Sequence, residues 1–122
     1  MDFLPLFFKL NGRTCLVVGG GVVAARRVAL LCKAGGQVRV VAPELCSELA
    51  ELARKGEIDH HSRVFNAVDL EGVSIVIAAT DDAAINAEVS VQAQARSIPV
   101  NVVDNPELCS FIVPSILDRS PV

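Results

Sequence analysis

Strand-like and helix-like runs alternate along this chain, and that order leaves few folds open to it. Thr14 to Val18 is a short Val- and Leu-rich run, read as a buried strand. Val22 to Ala34 follows, with Val23, Arg27, Leu30, Leu31 and Ala34 near helical spacing and Gly35-Gly36 as its stop. Val38 to Ala42 is a second β-rich run. Pro43 then suits the first position of a helix reaching about Lys55, with Leu45, Leu49, Leu52 and Ala53 on one side. Ile58 to Val64 is a weaker strand. VSIVIAA, from Val73 to Ala79, is the strongest, apolar enough to be buried on both faces. Ala83 to Arg96 reads as a helix with Asp81 or Asp82 as its N-cap. Pro99 to Val103 and Phe111 to Val113 complete the strands. The expected fold is α/β, a Rossmann-like doubly wound parallel sheet of about five strands.

Composition narrows the class. Of the 122 residues, 52% are apolar and 20% charged, too apolar for a disordered segment and enough for one core. No apolar run reaches the ~18 residues that span a bilayer, and the first residues lack the basic start and cleavage site of a signal peptide. The reading is a soluble, cytoplasmic protein with no membrane partner. Residues 1–61 hold eight Lys/Arg against six Asp/Glu, and residues 62–122 three against eight. Neither half offers the clustered basic face of a nucleic-acid binder, and with no Trp or Tyr there is little to stack on bases. Cys15, Cys32, Cys46 and Cys109 form no C-x-x-C pair, so reduced thiols are expected rather than zinc ligands or disulfides. Adjacent His60 and His61 would point to opposite faces of a strand and make a poor chelate, so no metal site is expected.

Gly19-Gly20-Gly21-Val22-Val23-Ala24 fits G-x-G-x-x-A and sits between the first strand and the first helix, where a dinucleotide fingerprint belongs. Glycines let a pyrophosphate approach the backbone, and the free N–H groups and dipole of the helix start favour its charge. Ala24 is small enough for the helix to pack on the sheet. A plain strand-turn-helix connection is the competing explanation. An acidic residue often ends the second strand of such a domain and holds the ribose hydroxyls. Here the strand ends Val40-Val41-Ala42-Pro43, and either Glu44 or the backbone at Pro43 takes that place. No Arg follows to hold a 2′-phosphate, which favours NAD over NADP.

Three segments should share the rim at the carboxyl ends of the strands: Gly19 to Val23, Pro43-Glu44 and Thr80-Asp81-Asp82, with Asn101 and Asp104 close by. Thr80 would hydrogen-bond the cofactor or cap a helix. Arg26 and Arg27 lie in a first helical turn, where the dipole disfavours cations; they offset ligand charge or form a solvated face. Asp104, in NVVDNP just past a buried strand, is the leading acid/base candidate, against the alternative of a solvated turn.

LPLFFKLNGRTCLVVGGGVVAARR, AATDD and NVVDNPELCSFIVPSILDRSP, in that order, resemble the N-terminal domain of siroheme synthase, the precorrin-2 dehydrogenase/sirohydrochlorin ferrochelatase family. RVFNAVDLEG, residues 63–72, resembles the family's lead-in to AATDD. The resemblance implies NAD-dependent oxidation of precorrin-2 to sirohydrochlorin and, as in some members, insertion of ferrous iron. It places the key aspartate on Asp104, and the NAD contacts on Gly19, Gly20, Gly21, Val22, Val23, Pro43 and Glu44, beside Thr80 and Asp81 from the rim. It makes Arg26 and Arg119 of interest for a substrate rich in carboxylates. It implies a homodimer through the region after residue 113. On this reading 1–113 is the NAD-binding domain, and 114–122 begins a dimerisation region belonging to a longer polypeptide. Two other readings stand beside it. One is a nucleotide-sensing regulatory domain, which would need no carboxylate after the fifth strand. The other is a relative that binds iron or tetrapyrrole without turnover.

Overall fold

A computed structural model describes residues 3–113. Five parallel strands form one sheet: β1 (Thr14–Val18), β2 (Gln37–Val41), β3 (Asp59–His61), β4 (Ile75–Ala78) and β5 (Val100–Val102), in the order β3-β2-β1-β4-β5. Three helices connect them, α1 (Val22–Lys33), α2 (Ser47–Arg54) and α3 (Ala83–Ala95). Short 3-10 turns cover Ala67–Leu70 and Pro106–Leu108. This is the doubly wound sheet that the alternation of runs predicts.

The sheet explains which strands read most clearly. All of Ile75–Ala78 and four of the five residues of Thr14–Val18 are buried, since both strands are central and covered on two faces. One face packs Ala24, Ala25, Val28 and Leu31 of α1 and Leu49 of α2 against Cys15, Val17, Val40 and Ile77. The other packs Val89 and Ala93 of α3 against Leu16, Val18, Val76 and Val100. Alanines at 24, 25 and 93 bring the helix axes close to the sheet, and burial of the Val and Leu side chains contributes about 1.5–3 kcal/mol each. Among the described residues no helix is long and apolar enough to cross a membrane.

Four expectations need correction. The buried face of α1 is Ala24, Ala25, Val28 and Leu31, whereas Val23 is exposed and Arg27 only partly covered. Helical spacing sets a stripe; of the expected residues Leu31 is on it, and Ala24, Ala25 and Val28 take the places given to Val23 and Arg27. Second, α2 begins at Ser47 and not at Pro43. Residues 43–46 stay out of the helix because their groups bond elsewhere: Cys46 N donates to Gly20 O (2.7 Å), and Pro43 O accepts from Ser62 Oγ (3.0 Å). Third, β3 covers only Asp59–His61 of the expected 58–64. Fourth, 111–113 is not a strand. The chain returns past β5 through Ser110 N to Val100 O (2.8 Å), Val100 N to Ser110 Oγ (2.8 Å) and Asn101 Nδ2 to Phe111 O (3.1 Å). Side chains share the bonding with the backbone there, and no ladder forms. The expected dimerisation region 114–122, including Arg119, lies outside the described residues.

Candidate functional site: a cleft at the switch point of the sheet

The chain leaves β1 for β2 and β3 on one side, then crosses back to β4 and β5 on the other. The carboxyl ends of β1 and β4 therefore diverge, and this is where open α/β sheets bind ligands. Gly19 N donates to Val41 O (3.0 Å) and Ala79 N to Val18 O (2.8 Å), so the turns after β1, β2 and β4 are fastened side by side. Between them opens a cleft of about 650 Å³, the size of a small-molecule site. Gly19, Gly20, Gly21, Val22, Val23, Pro43, Glu44, Thr80 and Asp81 all line it. The structure thus brings together every expected cofactor residue.

The three glycines have different reasons to be there. Gly19 sits at φ +135°, and a Cβ on it would strike the Ala79 carbonyl. A Cβ on Gly20 would fall on the Glu44 carbonyl and crowd the Ala42 side chain. Both are glycines because strand ends crowd them. Gly21 has ordinary backbone angles, φ −93° and ψ −167°, and a Cβ there would meet nothing within 4 Å. Nothing in the protein asks for glycine at 21. It is the N-cap of α1, whose start has no side-chain cap and no acidic residue in its first turn. The first N–H groups of α1 accordingly face the cleft, in a geometry suited to phosphate. At α3 the same need is met internally, by Asp82 Oδ1 accepting from Ala84 N (2.9 Å) and Ile85 N (3.3 Å). Replacing Asp82 with alanine is expected to lower stability by ~1 kcal/mol in a thermal melt.

Asp82, rather than Asp81, is therefore the cap, and Asp81 stays exposed at the cleft. Thr80 lines the cleft and is not the helix cap. Its Oγ1 donates to Asn86 Oδ1 (2.6 Å) and accepts from Asp82 N (3.1 Å), while Asn86 Nδ2 donates back to Thr80 O (3.1 Å). Thr80 and Asn86 lock the turn that forms one lip. Arg26 and Arg27 do not line the cleft. His60 donates to Ala42 O (2.9 Å), and His61 Nε2 donates to Asp59 Oδ2 (2.9 Å). Cys15 is buried, and burial pushes its thiol up to about 11, so it stays protonated and inert.

Asp104 is not in the cleft wall. It occupies an exposed turn after β5, at the same end of the sheet but beyond β4, with φ +62°. Asn101 is buried and turned toward Cys109 and Phe111, away from the cleft. Conversely, Arg63, Val64 and Phe65 line the cleft although nothing in the spacing of motifs points to them. They follow β3, which pairs with β2 (Val41 opposite His61), so the sheet carries them to the rim.

A family model described as "Putative NAD(P)-binding" matches residues 6–115. Over all 122 residues the chain is 60% identical to the siroheme synthase of Methylobacillus flagellatus and covers 26% of that protein. It is 57% identical over 122 residues to that of Pseudomonas entomophila, with 26% of that protein covered. The chain thus spans about a quarter of the length of the curated relatives it matches. Among solved structures it resembles "SirC, precorrin-2 dehydrogenase", with a TM-score of 0.80 and 29% identity over 92% of this chain and 54% of that one.

Proposed function

Since the chain belongs to this NAD(P)-binding family, we propose that it is the dinucleotide-binding part of an NAD-dependent precorrin-2 dehydrogenase that forms sirohydrochlorin. The observation that carries this reading is Gly21, a glycine with open space above it at an uncapped helix start inside the cleft. The residues fit a dinucleotide. The amides that begin α1 would receive the pyrophosphate, and Glu44 or the Pro43 backbone the adenosine ribose. Exposed Val22 and Val23 would give an apolar contact beside them. NAD, when bound, would supply the hydride acceptor.

Oxidation of precorrin-2 to sirohydrochlorin removes a hydride and a proton, and the protein's own part in it is to place the substrate and take the proton. Asp104 stands at the rim next to β4 with its carboxylate exposed, and we assign it the proton. Ferrous iron as a further substrate, and a homodimer formed through the region after 113, belong to the same proposal. They rest on the siroheme synthase relatives, of which this chain is the smaller part. The protein would act in the cytoplasm, where its cofactor is found.

Anaerobic conversion of precorrin-2 by the complete polypeptide tests the reading, following NADH formation and the sirohydrochlorin spectrum. NAD-dependent turnover is expected. NAD binding without turnover would instead favour a nucleotide-sensing or metal-handling relative.

A further inference from the structure

Residues 62–66 run from β3 to the following 3-10 turn with no ladder of their own. One carboxylate grips them at two points. Asp69 is 2% exposed; its Oδ2 accepts from Asn66 N (2.8 Å), and its Oδ1 pairs with Arg63 Nη2. A buried carboxylate persists only when it is paired, so this ion pair and the segment stand or fall together. The grip falls on both ends of the segment, and the residues between, Val64 and Phe65, line the cleft beside Arg63. Arg63 Nη2 also donates to His61 Nδ1 (3.3 Å). Its Nη1 and Nε make no hydrogen bond to the described residues. The guanidinium is thus fixed at one corner and open on the other two, an ordered donor that loses little entropy on meeting a ligand.

Charge gives this donor a role. Arg63 is the only Lys or Arg among the described residues lining the cleft, which also carries Glu44, Asp81 and Asp82. The ends of β2 and β3 are adjacent, with Val41 opposite His61, and Ser62 Oγ bonds Pro43 O (3.0 Å). Arg63 and Glu44 therefore flank the place where a dinucleotide fold holds the adenosine ribose. A carboxylate there favours a free 2′-hydroxyl, and a guanidinium accommodates a 2′-phosphate.

Resting on the dinucleotide reading above, we propose that Arg63, held in place by Asp69, is the residue that lets this cleft accept a 2′-phosphorylated cofactor. Glu44 is its opponent, and the balance of the two sets the choice between NAD and NADP. Asp69 is a positioning residue: it touches no ligand and acts by holding Arg63.

The test is fluorescence titration of NADH and NADPH on the complete polypeptide. The variants are Arg63→Met, Glu44→Gln and the double variant Arg63→Met/Asp69→Asn, which leaves no unpaired buried charge. The readout is the ratio of NADPH to NADH affinity, which general loosening of the structure does not move. The ratio should fall about tenfold in both Arg63 variants, the loss of one charge-assisted hydrogen bond, and rise in Glu44→Gln. An unchanged ratio in the double variant, with both cofactors still bound, would overturn the role of Arg63 and leave the dinucleotide cleft standing. A wild type that binds neither cofactor would overturn both.

Discussion

Replacing Gly21 with serine leaves the fold intact and weakens dinucleotide binding by about a hundredfold or more. The two halves of that result have separate causes. A side chain at 21 meets no protein atom within 4 Å, and φ −93°, ψ −167° is open to any L-residue. Serine is at least as good an N-cap as glycine, so the melting temperature should hold or rise slightly. The same hydroxymethyl group, however, stands over the first amides of α1, where the phosphates would sit, and competes for their N–H groups. Losing one or two charge-assisted hydrogen bonds of about 1.5–3 kcal/mol each accounts for the drop. Titration calorimetry with NADH beside a thermal melt checks both halves. Wild-type affinity in a folded Gly21→Ser variant would mean that the phosphates lie elsewhere.

Gly20→Ala separates the two reasons for glycine. Its Cβ would fall on the Glu44 carbonyl, which belongs to the backbone of the loop after β2 and cannot swing aside. The loop is further tied by Cys46 N to Gly20 O (2.7 Å), so relief means breaking the β1–β2 connection. A loss of at least ~3 kcal/mol is expected, a large share of the ~5–15 kcal/mol that holds a domain together. It should appear as a lowered melting temperature or insolubility. Lost binding in this variant would say nothing about phosphate.

How much of this was legible beforehand depends on whether the deciding interactions are local. β1, β4, α1 and α3 follow from apolar runs and glycine stops, and for the two central strands burial on both faces removes any need for alternation. The start of α2 does not. Pro43 suits a helix's first position, yet residues 43–46 are kept out of the helix by bonds to Gly20 and Ser62, distant in sequence. Arg63 is hard to read for the same reason: residues 42–46, directly after β2, hold no arginine, and only pairing of β3 with β2 brings one to the cleft. Thr80 reads as a cofactor contact or a helix cap; the cap is Asp82, and Asn86, six residues away, engages the Thr80 hydroxyl. The glycine fingerprint places the cleft without telling which glycine serves the ligand. That distinction needs the neighbouring backbones in position.

Asp104→Asn is expected to lower turnover by about 10²–10⁴ while leaving cofactor affinity and stability near wild type. Asp104 adopts φ +62°, a left-handed conformation that aspartate and asparagine tolerate better than other side chains. Asparagine therefore keeps the turn, whereas alanine would add ~1 kcal/mol of backbone strain and blur the result. The side chain does not line the dinucleotide cleft, so NADH titration should be unmoved. What asparagine cannot do is accept a proton at neutral pH, and general-base catalysis contributes about that range of rate. The turn itself is firmly held: Val102 N donates to Cys109 Sγ (3.1 Å), Cys109 Sγ donates to Asn105 O (3.3 Å), and Asn105 N donates to Val102 O (3.1 Å). On the proposed reading, this exposed carboxylate on an anchored turn is open to a substrate at the rim. Glycine at 104 would relax the strain and should raise the melting temperature, yet be as inactive as asparagine. Stability and turnover moving in opposite directions would mark Asp104 as retained for chemistry. If Asp104→Asn turns over at the wild-type rate in the complete polypeptide, the proton leaves by another route and the strained turn has only a structural role.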